Sequence, residues 1–467
     1  MKLPFPIREA THVVSEGAAQ STRLASRFLE AQRKGAPLLL TATAVGALTG
    51  TVASLFHKVL DWADKTREVV WATDNPLMTW GIIPAGVAIA LLISVWLVRA
   101  WAPQAGGSGV QVVEGLLDGV LSMRWARVIP VKFIGGFLAL GSGLLMGREG
   151  PSIQIGAAIG QGCVKILRLP KTLMHGLVAS GAAAGLTAAF NAPFAGILFM
   201  IEEMRPQFHY NVLSVQAVVL ACAVSDVMTR LMTGDVNDIS MPILAMPERG
   251  TLWLFVVFGM LFGVLGFVFE RVLLSTVDWF RSLSRWPFIF AVAFVGLSIG
   301  WLGGADLRFV GGGEEVLEGF LTVKTPLKFL AIVFAVRFVA TVASYSTGAP
   351  GGLFAPMLAI GTIAGVAYGQ VVQDLGLGGA LVPAHFAVAG MGAFFAAVVR
   401  APLTGIILTA EMTGNFTQIL PLMLTCMAAT ITAHSLGTRP VYTALLERTL
   451  SQQGKPPDPA RDEDKTG

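Results

Sequence analysis

Charge is what this sequence has least of: Asp, Glu, Lys and Arg make up 13% of its 467 residues, about half the share of an ordinary soluble domain. Together with a 54% hydrophobic content and a mean hydropathy of +0.68, that scarcity excludes a typical soluble enzyme and points to a polytopic membrane protein. Cysteine is nearly missing. Cys163, Cys222 and Cys426 stand far apart in apolar surroundings, so they make neither a disulfide framework nor a metal cluster and read as small packing residues. The six histidines show no ligand spacing, and no nucleophile–base pair is recognisable. Neither a metal site, a cofactor nor an enzyme activity is therefore expected. Residues 1–8 lack the continuous apolar core of a signal peptide. The net charge of +4 is too small to call for a nucleic-acid partner. It reflects segment 1–35, where Lys2, Arg8, Arg23, Arg27, Arg33 and Lys34 outnumber Glu9, Glu16 and Glu30, a bias that favours a cytoplasmic N-terminus.

What the chain does have is apolar sequence, glycine and proline. Apolar stretches cover approximately residues 37–56, 77–98, 128–146, 176–201, 212–228, 252–269, 286–303, 329–343, 352–372, 386–410 and 419–433. Several are too short, or too rich in glycine, for uninterrupted spans of roughly 20 residues. With 53 Gly and 24 Pro, many helices should break inside the bilayer, which is tolerated only where protein or a water-filled cavity receives the freed backbone groups. The expected organisation is a cytoplasmic segment 1–35, a transmembrane transport domain 36–445 and a disordered polar tail 446–467. Asn415-Phe416-Thr417 matches a glycosylation sequon, a pattern common by chance.

An internal repeat runs through the membrane part. The segment from Gly181 to Glu202 aligns without a gap with Gly390 to Glu411, placing Pro193 on Pro402 and Glu202 on Glu411 at a constant offset of 209. A shorter echo pairs Pro151–Gly156 with Pro356–Gly361. Matched interrupted segments in two halves point to a repeat transporter whose site lies at the repeat interface near mid-membrane. The expected fold is thus an all-α bundle of two related, oppositely oriented halves with tilted and broken helices.

Gly147-Arg148-Glu149-Gly150-Pro151 places two ionisable residues inside apolar sequence. Charges at membrane depth are costly and are kept mainly where they line a water- or ion-filled path. The flanking glycines admit a ligand to the backbone and Pro151 suits a first helical turn, so this segment reads as an unwound turn entering a helix. Such a helix start binds an anion, with which an ionised Glu149 would compete. Three other segments offer related chemistry: Ser108 between Gly107 and Gly109; the stretch Gly348-Ala349-Pro350-Gly351-Gly352-Leu353-Phe354-Ala355-Pro356, with N–H groups before a proline-started helix; and the hydroxyl of Tyr442.

In these four motifs and their order, the chain resembles the CLC family of chloride channels and chloride/proton antiporters, over nearly all of residues 36–445. It looks like a bacterial member of the antiporter branch. The resemblance implies that Ser108 and Tyr442 donate hydroxyl hydrogen bonds to a central chloride, helped by the N–H groups of Leu353 and Phe354. It makes Glu149 the gating glutamate, which takes the anion's outer position when deprotonated, and places an inner proton-transfer glutamate at Glu203. Gly107, Gly109, Gly147, Arg148, Gly150, Pro151, Gly352 and Pro356 are the supporting residues. It further implies a multi-pass protein of the bacterial inner membrane, a homodimer, and chloride, protons and the lipid bilayer as partners. Neutral donors hold an anion while still releasing it, so Lys132 and Arg148 read as sources of field rather than direct ligands. Glu202 and Glu411, at equivalent repeat positions, suggest a shared structural role such as bonding backbone N–H groups, which leaves Glu203 as the proton carrier. Arg205 is a candidate ion-pair partner for either glutamate, and Arg337 and Arg400 read as structural or membrane-boundary charges. The first motif departs from its relatives in having Gln111 and Val112 where a proline and an acid are usual, which puts the helix start behind Ser108 in question. The rival functions are a passive chloride channel, against which Glu203 argues, and a fluoride exporter, which fits Ser108 and Tyr442 less well.

Overall fold

The computed structural model describes residues 35–204, 211–234, 239, 241–313, 319–320 and 325–452, and residues 7–34 in backbone only. Among the described residues there are sixteen α-helices: α1 (Ile7–Trp71), α2 (Ile83–Trp101), α3 (Val110–Leu117), α4 (Trp125–Gly141), α5 (Glu149–Ile166), α6 (Met174–Phe190), α7 (Pro193–Glu202), α8 (Val212–Thr233), α9 (Leu252–Ser282), α10 (Arg285–Ala305), α11 (Leu327–Ser346), α12 (Phe354–Asp374), α13 (Pro383–Val399), α14 (Pro402–Thr413), α15 (Ile419–Ser435) and α16 (Val441–Gln452). Among the described residues, nine segments are long and apolar enough to cross a membrane. Most of these carry large apolar side chains on an exposed face, as with Trp96, Phe290 and Ile431, which suits a surface that meets lipid.

The breaks fall where proline and αL residues stop the helical ladder. Helix α6 ends at Asn191 (φ 49°) and α7 starts on Pro193; in the second half α13 ends at Arg400 (φ 69°) and α14 starts on Pro402. With 10 and 12 residues, α7 and α14 reach only about 15–18 Å and cannot cross a bilayer core of about 30 Å. Their ends are satisfied reciprocally. The Glu202 carboxylate, closing α7, accepts from the N–H groups of Leu403 and Thr404 at 3.0 and 2.7 Å, while Glu411 of α14 accepts from those of Phe194 and Ala195 at 3.1 and 2.8 Å. The last turn of each helix therefore caps the first turn of the other, and the two lie antiparallel. Equivalent sequence in opposite orientation is the relation expected of the halves. The same pairing recurs in α5 with α6 and in α12 with α13, where Gly156 meets the carbonyl of Gly181 and Gly361 that of Gly390 so closely that a Cβ on either would overlap the facing backbone.

Other sequence-based expectations find their place in this frame. Arg337 is fully buried and donates to the carbonyls of Arg308, Val310 and Gly311 at 2.8–3.1 Å, and Arg400 donates to that of Thr430, so both brace loops. Cys222 and Cys426 are buried in the core and Cys163 is half-buried. The side chain of Asn415 is buried, donating to the carbonyl of Thr413 and accepting from Leu244 N–H. One boundary needs correcting. The segment expected to be disordered from residue 446 remains helical to Gln452, because Leu446 and Leu450 are buried against the bundle; residues 453–467, like Arg205, lie outside the described residues.

Candidate functional site

Three of the four motifs meet as loops at the centre of the bundle. The stretch from Gly348 to Pro356 lies between the other two: Gly107 donates its N–H to Ala349 O at 3.2 Å and accepts from Gly351 N–H at 3.1 Å, and Gly147 and Gly352 bond each other in both directions at 2.9 and 2.7 Å. These are the only bridge pairings outside helices among the described residues. They hold the starts of α3, α5 and α12 together. Converging helix N-termini bring the partly positive ends of the backbone dipoles to one region, as an anion requires.

Glu149, in the first turn of α5, is fully buried, and its Oε1 accepts the N–H of Phe354, the first residue of α12, at 2.7 Å. Its carboxylate fills space that only glycine leaves open, since a Cβ on Gly147 or Gly352 would overlap it. Gly150 likewise lets α5 pack on Ser108, with which a methyl group would collide. Pro151 and Pro356 sit in the first turns of α5 and α12, where a missing N–H costs nothing. Leu353 precedes Phe354 as a buried helix cap.

Ser108 and Tyr442 are both fully buried and lie against each other, yet neither hydroxyl makes a hydrogen bond of normal geometry within the described protein. A buried hydroxyl without a partner is costly, and two of them side by side hold donors that an incoming acceptor would satisfy. Tyr442 also packs on the Phe354 ring, with centroids 5.9 Å apart. Behind Ser108 the helix starts at Val110 regardless of Gln111: Gly109, at φ +89°, turns the chain, and its carbonyl accepts from Val112 and Val113.

The cations near the site are held by carbonyls. Lys132 is fully buried and donates to Ala105 O at 3.1 Å and Gly107 O at 2.6 Å, fixing the loop that carries Ser108. Arg148 donates to Ala189 O at 2.9 Å and lies 4.0 Å from Asp61. Both cations thus brace backbone carbonyls beside the site.

Glu203 stands apart from this junction, at the C-cap of α7 and nearly buried. Its carboxyl lies beside that of Glu114 on α3, close enough for the two groups to act on each other electrostatically. Glu114, 1% exposed, was missed in the sequence, although a carboxylate in the otherwise apolar stretch after Ser108 is the same signal that singled out Glu149. Tyr442 is within electrostatic reach of both Glu149 and Glu203, so the tyrosine links the two carboxylate regions. Glu202, spent on capping α14, is not available in the same way.

Two cavities approach the junction and share no lining residue. One, of about 300 Å³, reaches Gly147 and Arg148 and mixes Asp61, Asp64 and Glu68 with Lys65 and Arg67. The other, of about 490 Å³, reaches Gly106 and Gly107 and is lined by Arg99 and Arg281, with no acid among its described residues.

The comparisons agree with this arrangement. The profile described as "Voltage gated chloride channel" matches residues 89–434. The chain is 41% identical over 461 residues to the H(+)/Cl(-) exchange transporter ClcA of Salmonella arizonae, covering 97% of this chain and 96% of that one, and 40% identical over 461 residues to the ClcA of Citrobacter koseri, with the same coverage. Among solved structures it is similar to a slow cyanobacterial Cl-/H+ antiporter, with a TM-score of 0.85 and 38% identity over 90% of this chain and 99% of that one. Four converging motifs, reciprocally capped antiparallel repeats and matches of this extent place the chain in the voltage gated chloride channel, or CLC, family.

Proposed function

We propose that this protein is a secondary active transporter that exchanges chloride for protons, with Glu149 as its gate. The observation that carries the reading is the pair of buried, unsatisfied hydroxyls of Ser108 and Tyr442 beside a carboxylate that accepts a helix-terminal N–H. Chloride between the two hydroxyls gives each an acceptor. An ionised Glu149 occupies the Phe354 N–H and competes with an anion arriving there. Protonation removes the negative charge, weakens that bond and frees the amide for chloride, so proton binding and anion passage become alternating uses of one set of donors. Glu203, with Glu114 beside it, is the second proton station. Its presence favours exchange over passive conduction, because a channel has no use for a buried carboxyl away from the anion path.

The named relatives, H(+)/Cl(-) exchange transporters and a Cl-/H+ antiporter, support the same reading. We further propose residence in the bacterial inner membrane, segment 1–35 as cytoplasmic, and a homodimer in which each subunit holds a complete path, since all four motifs meet within one chain. Mass measurement in detergent that finds monomers alone refutes the dimer. The central test uses purified protein in liposomes with chloride and pH electrodes recording together. A chloride gradient should drive protons uphill; chloride flux without proton movement would make the protein a channel.

A further inference from the structure

The arginine-lined cavity contains two polar side chains that neither the family motifs nor the exchange mechanism uses. Tyr345, on α11, lines the cavity and is 4% exposed; its hydroxyl lies against the Ser108 backbone and the Gln111 side chain without a hydrogen bond of normal geometry to a described residue. Gln111, on α3, is nearly buried, and its carbonyl oxygen is unsatisfied too. The two flank one backbone position. Measured from the place a Cβ would take on Gly107, Tyr345 Oη lies at 3.3 Å and Gln111 Nε2 at 3.6 Å, so both donors stand at the residue before Ser108.

The surroundings select the kind of ligand. Arg281 lies close enough to Tyr345 to act on it electrostatically, and Arg99 stacks on Phe288 at 3.4 Å from the ring centroid, which keeps its charge at the cavity wall. Two cations with no acid in the lining concentrate anions. Neutral O–H and N–H donors then replace part of the hydration shell without trapping the ion. A phenol and a carboxamide at the neck of such a cavity are placed to take over water from an anion as it moves between the cavity and Ser108.

We propose that Tyr345 and Gln111 are anion-contacting residues that set selectivity at the mouth reached through Gly107, favouring small, strongly hydrated halides over larger oxoanions. The proposal rests on chloride binding between Ser108 and Tyr442. A strongly hydrated ion depends more on replacement donors than a weakly hydrated one, so loss of a donor penalises chloride more than nitrate.

The test compares chloride and nitrate exchange in liposomes for the wild type, Tyr345→Phe and Gln111→Leu, each of which removes donors while keeping most of the volume. The chloride-to-nitrate rate ratio should fall about two- to tenfold in each variant, the loss expected for one neutral hydrogen bond, while the protons moved per chloride stay constant. A ratio that is unchanged in both overturns the proposal. Should the variants fail to fold, bromide located by anomalous scattering in wild-type crystals decides the matter. Bromide within hydrogen-bond reach of Tyr345 Oη supports it, whereas bromide at Ser108 and Tyr442 alone overturns it and leaves the exchange reading standing. Bromide at neither place overturns both.

Discussion

The two halves of the repeat can be laid over each other residue by residue, and what they share differs in kind from what they do not. At the offset of 209, Asn191 matches Arg400, Pro193 matches Pro402 and Glu202 matches Glu411. The structure uses each pair alike: both αL residues end a helix, both prolines start the next, and both glutamates cap the opposite half's short helix. One residue further on the match fails, with Glu203 in the first half and Met412 in the second. The shorter echo, at an offset of 205, breaks in the same manner, because Glu149 falls opposite Phe354. That mismatched pair is the one that bonds, the carboxylate of one half accepting the N–H of the other. Symmetry builds the scaffold, and the carboxylates proposed for proton transfer sit where symmetry is lost: the first half brings Glu149 and Glu203, the second the Phe354 amide that Glu149 meets and the Tyr442 ring packed on it.

The comparison is broken most severely at Glu149. Glu149→Gln keeps the shape and the helix start but removes the charge proposed to alternate with chloride. Proton transport should disappear entirely, leaving chloride flux that no longer responds to pH; coupled transport persisting in this variant would sever the link between gate and proton. Next in size is Glu203→Gln, which leaves the junction untouched. Proton movement should fall at least tenfold while chloride still passes, because the carboxyls left beside that position are Glu114 and Glu202, and Glu202 is engaged in capping α14. Glu114→Gln tested alongside shows whether the contacting pair works as a unit: a combined loss smaller than the product of the single losses is expected of coupled groups.

How much of this could be read from the sequence follows the same division. The membrane class, the broken helices and the repeat were legible because composition, glycine–proline punctuation and a gapless alignment are properties of the chain itself. Glu149, Ser108, the Leu353–Phe354 stretch and Tyr442 were legible through their motifs. For Glu202 and Glu411 repeat equivalence suggests only a shared structural role such as bonding backbone N–H groups, and the structure adds the partners and their reciprocity. Tyr345 acquires meaning only in three dimensions, and Glu114 and Gln111, although visible in the chain as a carboxylate in an apolar stretch and a departure in the first motif, find their partners only there. Glu114 comes from a helix far from Glu203 in sequence, and Tyr345 lies over 200 residues from the Gly107 it flanks. The end of α16 was misjudged because polar residues surround Leu446 and Leu450 in sequence, while tertiary packing, which local composition does not report, keeps the helix going.

The symmetric part of the scaffold gives a smaller and more even effect. Glu202→Gln and Glu411→Gln each turn a charged acceptor of two or more backbone N–H bonds into a neutral one. Hydrogen bonds to charged groups are worth about 1.5–3 kcal/mol, and weakening them should lower thermal stability by similar amounts in the two variants, with ion coupling retained. A selective loss of proton transport in Glu202→Gln would move that residue from scaffold to relay and undo the division between the halves.

The mildest change sharpens the role of the second hydroxyl. Tyr442→Phe keeps the ring that packs on Phe354 and deletes only the unsatisfied O–H. If that group completes its bonding with chloride, the variant loses one donor among several, a net cost of about 0.5–1.5 kcal/mol and hence roughly a two- to tenfold weaker chloride affinity by calorimetric titration. If instead the hydroxyl were an idle buried polar group, its removal would relieve a desolvation penalty. The variant would then melt at a higher temperature with chloride affinity unchanged, and the anion site would have to be sought away from Tyr442. Chloride affinity falls under the first account, whereas under the second it stays and the melting temperature rises, so measuring both on one sample separates a ligand from a packing residue.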